Sequence, residues 1–326
     1  MIKRKLTAFA VSSNHKFMCI RNHKFLPYIL LTGMLLCVLN SLHAQQRPVF
    51  SQYMFNGLVL NPAYAGNQPQ MSVSLLHRDQ WVNVEGAPKT STLIAHSALK
   101  DRPVGVGMLV SRDKIGVHDD YSVYASYAYK LNIGIGTLSM GLQAGFNYMV
   151  SDFTQLSTFD PDDQLFLGSV SRFNPNFGTG AFFNNKTTYA GISIPYIINN
   201  KVYDKEDIIS EAREARYYFL TGGHVFTLSP NVKIKPSTLI RVQEGQPIGM
   251  DLNANVFLDN VLNIGASWRS GDAVIMLFEL MLNKNLSFGY AYDHTLSSVR
   301  NYTDGTHEFM LTFRKSLGQE PCHAYF

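Results

Sequence analysis

Apolar and polar residues alternate along most of the chain after residue 70. In residues 138–148 the even positions carry Leu, Met, Ala, Phe and Tyr, whereas the odd positions carry Ser, Gly, Gln and Asn. Residues 262–269 and 286–293 alternate in the same way. Successive side chains of a β-strand point to opposite faces, so this pattern predicts strands with one apolar and one polar face.

The alternation recurs often enough to predict an all-β chain of about fourteen strands. The predicted strands are 71–76, 90–97, 104–113, 121–130, 136–150, 175–184, 188–195, 216–227, 233–243, 247–257, 261–269, 273–282, 286–293 and 307–315. A soluble sandwich would also alternate. However, the polar faces include Arg269 and Asp293, and an isolated charge is costly in a dry core but accepted in a wet lumen. This favours a transmembrane antiparallel β-barrel.

The connections between the predicted strands differ systematically in length. The even-numbered connections are short and rich in turn-forming residues, whereas the long connections are all odd-numbered: 77–89, 151–174, 196–215 and 294–306. Outer-membrane barrels have an even strand count, short periplasmic turns and longer external loops. The connections therefore indicate an outer-membrane barrel with the short turns in the periplasm.

The chain contains 17 Tyr and 21 Phe residues, and many lie near predicted strand ends. They could form aromatic girdles at the two membrane interfaces. Ordinary β-propensity of aromatic residues is the alternative explanation.

The N-terminal 44 residues have the composition of an export signal. Basic residues precede an apolar stretch over residues 25–42, and Ala44 offers a small residue for cleavage. We therefore predict a signal peptide over residues 1–44, with an uncleaved membrane helix as the alternative.

Removing the predicted signal changes the charge balance. Six of the 28 basic residues and none of the 24 acidic residues precede residue 45, which leaves 22 basic against 24 acidic residues. Nothing in this balance indicates a nucleic-acid partner. Cys322 is the only cysteine that remains, so no internal disulfide is expected.

Residues 45–70 form a separate, aromatic segment ahead of the predicted barrel at 71–316, and residues 317–326 form a tail. The segment carries four large aromatic residues, which should not stay in water. It can fold into the barrel as a plug, or present its aromatic residues to a periplasmic partner. Pro62 prevents a continuous helix, and Asn56 and Asn61 can hydrogen-bond the backbone in either arrangement.

Several stretches of the chain resemble one family. Residues 48–56 and 61–66 are similar to the opening signature of the PorP/SprF family, and residues 78–81 and 85–90 follow at the spacing of the family. Residues 113–116, 289–293 and 305–308 also fit. The motif residues that we take as plug or partner residues are Phe50, Gln52, Tyr53, Phe55, Asn56, Asn61, Pro62, Ala63, Tyr64, Gly66, Gln80, Trp81, Gly86 and Pro88.

The resemblance implies an outer-membrane component of the type IX secretion system of the Bacteroidetes, tied to gliding motility in many members. The implied partners are the periplasmic ring lipoprotein with its own partner, a secreted cargo adhesin, and the surrounding outer-membrane lipid. Members are either core translocon components or accessory copies that assist export or anchoring of one adhesin.

No constellation of residues predicts an enzyme. The histidines are scattered over different predicted strands and loops, without a Ser/His pair or a metal-ligand cluster. We therefore expect no catalytic activity, no metal and no cofactor. A passive channel for small solutes is the alternative to a secretion component.

Overall fold

The computed structural model describes residues 49–155, 168–200 and 214–316. These residues form one antiparallel sheet that closes on itself as a barrel. The strands are β1 (Gln70–Asp79), β2 (Lys89–Ala98), β3 (Val104–Ile115), β4 (His118–Asn132), β5 (Thr137–Asp152), β6 (Ser169–Asn184), β7 (Thr188–Ile194), β8 (Tyr217–His224), β9 (Phe226–Ser229), β10 (Val232–Gln243), β11 (Gly249–Leu258), β12 (Leu262–Arg269), β13 (Ala273–Met281), β14 (Leu286–Thr295) and β15 (Thr306–Ser316).

The barrel is closed by its first and last strands. β1 pairs with β15 over its whole length, from Gln70 opposite Ser316 to Asp79 opposite His307. Every other pairing joins strands that follow one another in the chain, apart from the pairing of β8 with β10. Closure removes the unpaired edges that an open sheet would expose.

β8 and β9 are two parts of a single barrel strand, since both pair with β10. The interruption between them lies opposite Pro236, which has no backbone N–H to donate to the ladder. Counted this way the barrel has fourteen strands, and the predicted fold class is confirmed.

The two faces of each strand lie in different surroundings. On β5, Met140 and Leu142 are 50% and 64% exposed on the outside, whereas Ser139 and Gln143 are 0% and 7% exposed on the inside. β12 and β14 follow the same arrangement, with Asn263, Ser267 and Arg269 or Ser287 and Asp293 buried. The apolar exterior and polar interior are those of a membrane barrel.

The connections sort by end, as the sequence predicted. One end, here called the turn end, has short connections at 99–103, 133–136, 185–187, 230–231, 259–261 and 282–285. The other end, the loop end, carries the connections 80–88, 116–117, 153–168, 195–216, 244–248, 270–272 and 296–305.

Several strands extend further towards the loop end than the alternation indicated. β1 continues to Asp79 instead of ending at 76, β4 begins at His118 instead of 121, and β6 begins at Ser169 instead of 175. At the rim the outward-facing residues leave the apolar layer and become polar, while backbone pairing continues. The apolar periodicity therefore ends before the strand does.

Residues 49–69, called the lumen segment below, lie inside the barrel. They form the 3₁₀ helices η1 (Tyr53–Phe55), η2 (Gly57–Val59) and η3 (Pro62–Tyr64). Two further 3₁₀ helices, η4 (Phe153–Gln155) and η5 (Ser298–Asn301), lie in loop-end connections. Within the described ranges no helix is long and apolar enough to cross a membrane. The predicted signal peptide (1–44) and tail (317–326) lie outside these ranges and stay predictions.

Candidate functional site

The lumen segment begins near the loop end and leaves the barrel at the turn end. Nearly all of it is buried against inward-facing side chains. Its buried residues are Phe50, Ser51, Gln52, Tyr53, Met54, Asn56, Leu58, Leu60, Asn61, Pro62, Ala63, Tyr64, Ala65, Gly66 and Gln68. Of the two arrangements considered for this segment, the structure shows the one inside the barrel.

Two asparagines set the local shape of the lumen segment. The Asn56 side-chain oxygen accepts from the Leu58 N–H (3.3 Å) and caps η2. The Asn61 oxygen accepts from the Ala63 N–H (2.9 Å) and caps η3, with Pro62 at its first turn. Asn is a favoured N-cap, and Pro is tolerated at the first helical position, so the sequence breaks the segment into short turns.

At the loop end the segment is held by a carboxylate on the last strand. Glu308 accepts the backbone N–H groups of Ser51 (2.9 Å) and Gln52 (2.8 Å), one on each oxygen. The Gln52 side chain donates in turn to the Glu308 carbonyl (3.1 Å). Hydrogen bonds to an ionised acceptor are roughly twice as strong as neutral ones.

Charged partners surround that carboxylate. Arg78 on β1 contacts Glu308 (3.0 Å) and Asp293 on β14 (2.8 Å), and it donates to the Ser51 hydroxyl (3.0 Å). The Ser51 hydroxyl donates to Asp293 (2.7 Å). Ser51, Gln52, Arg78, Asp293 and Glu308 are called the loop-end anchor. All five are at most 3% exposed, so removing one partner would leave a buried charge uncompensated.

The ion pairs continue along the inner wall. Arg269 on β12 contacts Asp251 on β11 (3.1 Å) and lies 3.8 Å from Asp293. Arg241 on β10 contacts the other oxygen of Asp251 (3.0 Å). Opposite charges from six strands thus form one network near the loop end.

The middle of the segment combines apolar packing with single hydrogen bonds. Tyr53, Met54 and Leu60 pack in one cluster with inward-facing apolar side chains of the wall. The Asn253 amide donates to the Tyr53 hydroxyl (2.6 Å), and the Ser193 hydroxyl donates to the Leu60 carbonyl (2.6 Å).

Near the turn end the segment is held by close approach to glycines. A Cβ on Gly141 would lie 2.1 Å from the Ala63 nitrogen, and one on Gly105 would lie 2.0 Å from the Ala65 carbonyl oxygen. The Asn61 amide donates to the carbonyl groups of Ala181 (3.0 Å) and Ile192 (3.3 Å). These contacts, together with Gly180 beside the Asn61 oxygen, are called the turn-end anchor.

At the turn end, Tyr64 packs edge-to-face against two aromatic rings of the barrel wall. Its ring centroid lies 5.5 Å from that of His96 and 5.4 Å from that of Phe182. Aromatic pairs at this separation add stabilisation beyond their buried area.

The remaining motif residues form a loop above the loop-end anchor. Gln80 donates its N–H to the Pro88 carbonyl (3.0 Å), and Gly86 accepts the Gly116 N–H (2.9 Å). Trp81 donates its N–H to the Thr306 hydroxyl (3.1 Å) and has a left-handed backbone (φ 51°), which is uncommon for a bulky residue. The Val82 N–H also donates to the Gly305 carbonyl (2.9 Å), so the loop 80–88 is tied to both neighbouring connections, 116–117 and 296–305.

The structure brings the predicted motif residues together along one path. Ten lie in the lumen segment, and Gln80, Trp81, Gly86 and Pro88 lie in the loop 80–88 above it. Arg78, Asp293 and Glu308 were not among the predicted plug or partner residues, although each lies in a family-like stretch and on a polar strand face. The sequence does contain a signal for these three residues, because they are opposite charges at inward-facing positions near the ends of predicted strands.

This closed barrel, apolar outside and filled by its own N-terminal segment, is a β-barrel protein of the outer membrane. The family described as "Type IX secretion system membrane protein PorP/SprF" matches residues 42–313. The chain belongs to the PorP/SprF family and is a type IX secretion system membrane component.

The chain is similar to several solved structures at low sequence identity. The "CymD monoaromatic hydrocarbon channel" is 12% identical (TM-score 0.48), with 83% of this chain and 94% of that chain covered. A Pseudomonas aeruginosa FadL homologue is 12% identical (TM-score 0.43; 84% and 96% covered), and Acinetobacter baumannii Omp33 is 10% identical (TM-score 0.44; 76% and 98% covered). Similarity of this size carries no information on function. No curated protein is similar enough to count as a relative.

Proposed function

We propose that this protein is a closed scaffold of the type IX system, which assists export or surface anchoring of a secreted adhesin and supports gliding. In this proposal it performs no chemistry, and it contacts the periplasmic ring lipoprotein and its partner through its turn end. The observation that carries the proposal is the occupied lumen, because the family-like stretches supply both the segment and the groups that hold it.

The contacts of the lumen segment support a plugged barrel rather than an open channel. The segment is bonded to the wall at the loop end by Glu308, in the middle by Asn253 and Ser193, and near the turn end by backbone carbonyls. A barrel of this size encloses space for a pore only where side chains and segments leave it free. A passive channel would need this segment to leave.

A variant lacking residues 47–66 tests the proposal. We expect it to insert as a heat-modifiable barrel, because strand pairing does not involve these residues, but to lose adhesin secretion and pull-down of the ring lipoprotein. Normal secretion by the inserted variant would contradict a role for the segment. Single-channel recording separates the alternative, since a large steady conductance of the intact protein would indicate a passive channel.

A further inference from the structure

The lumen segment crosses the barrel in one direction. Ser51 contacts Arg78, the next-to-last residue of β1, and Glu308, the third residue of β15, so this part of the segment lies at the loop end. Gly66 lies beside Ser97 and Gly105, where β2 ends and β3 begins at the turn end. The Lys130 ammonium donates to the Gly66 carbonyl there.

The length of the segment is sufficient for such a crossing. Residues 49 and 66 are 17 positions apart, which allows up to about 56 Å of extended chain. A ten-residue strand such as β1 spans only about 33 Å before tilt. The excess is taken up by η1, η2 and η3. A plug that entered and left through the turn end would have both of its ends there, unlike this segment.

The loop end faces the cell surface, because outer-membrane barrels have short turns in the periplasm and longer loops outside. At the loop-end side of the segment, Ser51 and Gln52 are buried completely, whereas Val49 is half-buried. We propose that the Val49 end of the lumen segment is accessible from the cell surface, although strand β1 begins on the periplasmic side.

This topology has a functional consequence. A protein on the cell surface could contact the end of the segment without entering the periplasm, and the first contacts it met would be those of the loop-end anchor. The inference concerns topology alone and does not depend on whether the protein assists secretion.

Cysteine labelling of whole cells tests it. In a background carrying Cys322→Ser, the variants are Val49→Cys, Tyr302→Cys in the loop-end connection 296–305, and Ile135→Cys in the turn 133–136. Tyr302 and Ile135 are matched references, since they are 76% and 75% exposed at opposite ends. The probe is a membrane-impermeant maleimide, and the background without an added cysteine is the blank.

We expect Val49→Cys and Tyr302→Cys to react on intact cells, with rates within about tenfold, and Ile135→Cys to react only after the outer membrane is permeabilised. Reaction of Val49→Cys only after permeabilisation would overturn the proposal. So would no reaction until denaturation, because the end would then be enclosed. Reaction of Ile135→Cys instead of Tyr302→Cys on intact cells would show that the turn end faces the cell surface. That result would also overturn the proposal.

Discussion

The two ends of the lumen segment are held by different physical interactions. The loop-end anchor consists of charge: Glu308, Asp293 and Arg78 bind Ser51 and the Gln52 backbone. The turn-end anchor is based on steric fit. Its glycines admit the backbone of residues 61–65 at distances that no side chain would allow. The loop-end anchor therefore depends on ionised side chains. The turn-end anchor depends on glycines that leave room for the backbone of the segment, together with two hydrogen bonds from the Asn61 amide.

The difference determines how each end can fail. A buried ion pair becomes strongly unfavourable when one partner is removed, since the other charge is left in a dry environment. A close-packed contact fails when a single methyl group is added, since interiors have no spare volume. Small substitutions should therefore release each end separately, and amide hydrogen exchange of the segment reports this opening.

Glu308→Gln should have the largest effect. It removes the charge that holds two backbone N–H groups and leaves Arg78 with Asp293 alone, which we expect to lower the free energy of opening at Ser51 and Gln52 by about 3 kcal/mol. Hydrogen exchange of the purified protein measures this. Glu244→Gln, an exposed change at the same end, is the matched control. Unchanged protection of Ser51 and Gln52 in Glu308→Gln would show that the charge of Glu308 does not hold this end of the segment.

Gly141→Ala should have the next largest effect, about 2 kcal/mol. The new methyl group would lie 2.1 Å from the Ala63 nitrogen, so residues 61–65 must shift while the strand stays paired. Exchange should accelerate at these residues and conductance should rise. In Gly222→Ala the nearest atom lies 3.7 Å away, so this variant serves as the control. Equal behaviour of the two variants would contradict the steric anchor.

Tyr53→Phe should have a smaller effect, about 1 kcal/mol, because one hydrogen bond from Asn253 is lost between the two anchors. The measurement is protection at η1, with Tyr302→Phe as the exposed control. A loss as large as that of Glu308→Gln would mean that the middle of the segment, not its ends, carries the attachment.

The smallest expected effect is the coupling between the anchors. Glu308 and Gly141 share no partner, so the changes in free energy of Glu308→Gln and Gly141→Ala should add to within about 0.5 kcal/mol. Exchange of the double variant measures this. Coupling above about 1 kcal/mol would show that the segment docks as one cooperative unit.

The alternation of residues was sufficient to predict the strands, their number and the loop-length asymmetry, because these depend on local periodicity. The ends of β1, β4 and β6 were predicted too short, since rim residues leave the apolar layer before the pairing ends. The loop-end anchor was not predicted, because Ser51 and Glu308 are 257 residues apart in the chain. The role of Gly141 was also not predicted, since a small residue on a polar face does not show what lies against it.

The pairing of β1 with β15, which closes the barrel, has a consequence for biogenesis. Ser51 contacts Arg78 on the first strand and Glu308 on the last, so its binding site straddles the place where the two ends of the sheet meet. Neither strand alone supplies both groups. The lumen segment can therefore be bound in full only after β15 has paired with β1. A prematurely terminated chain would lack the Glu308 carboxylate that binds Ser51.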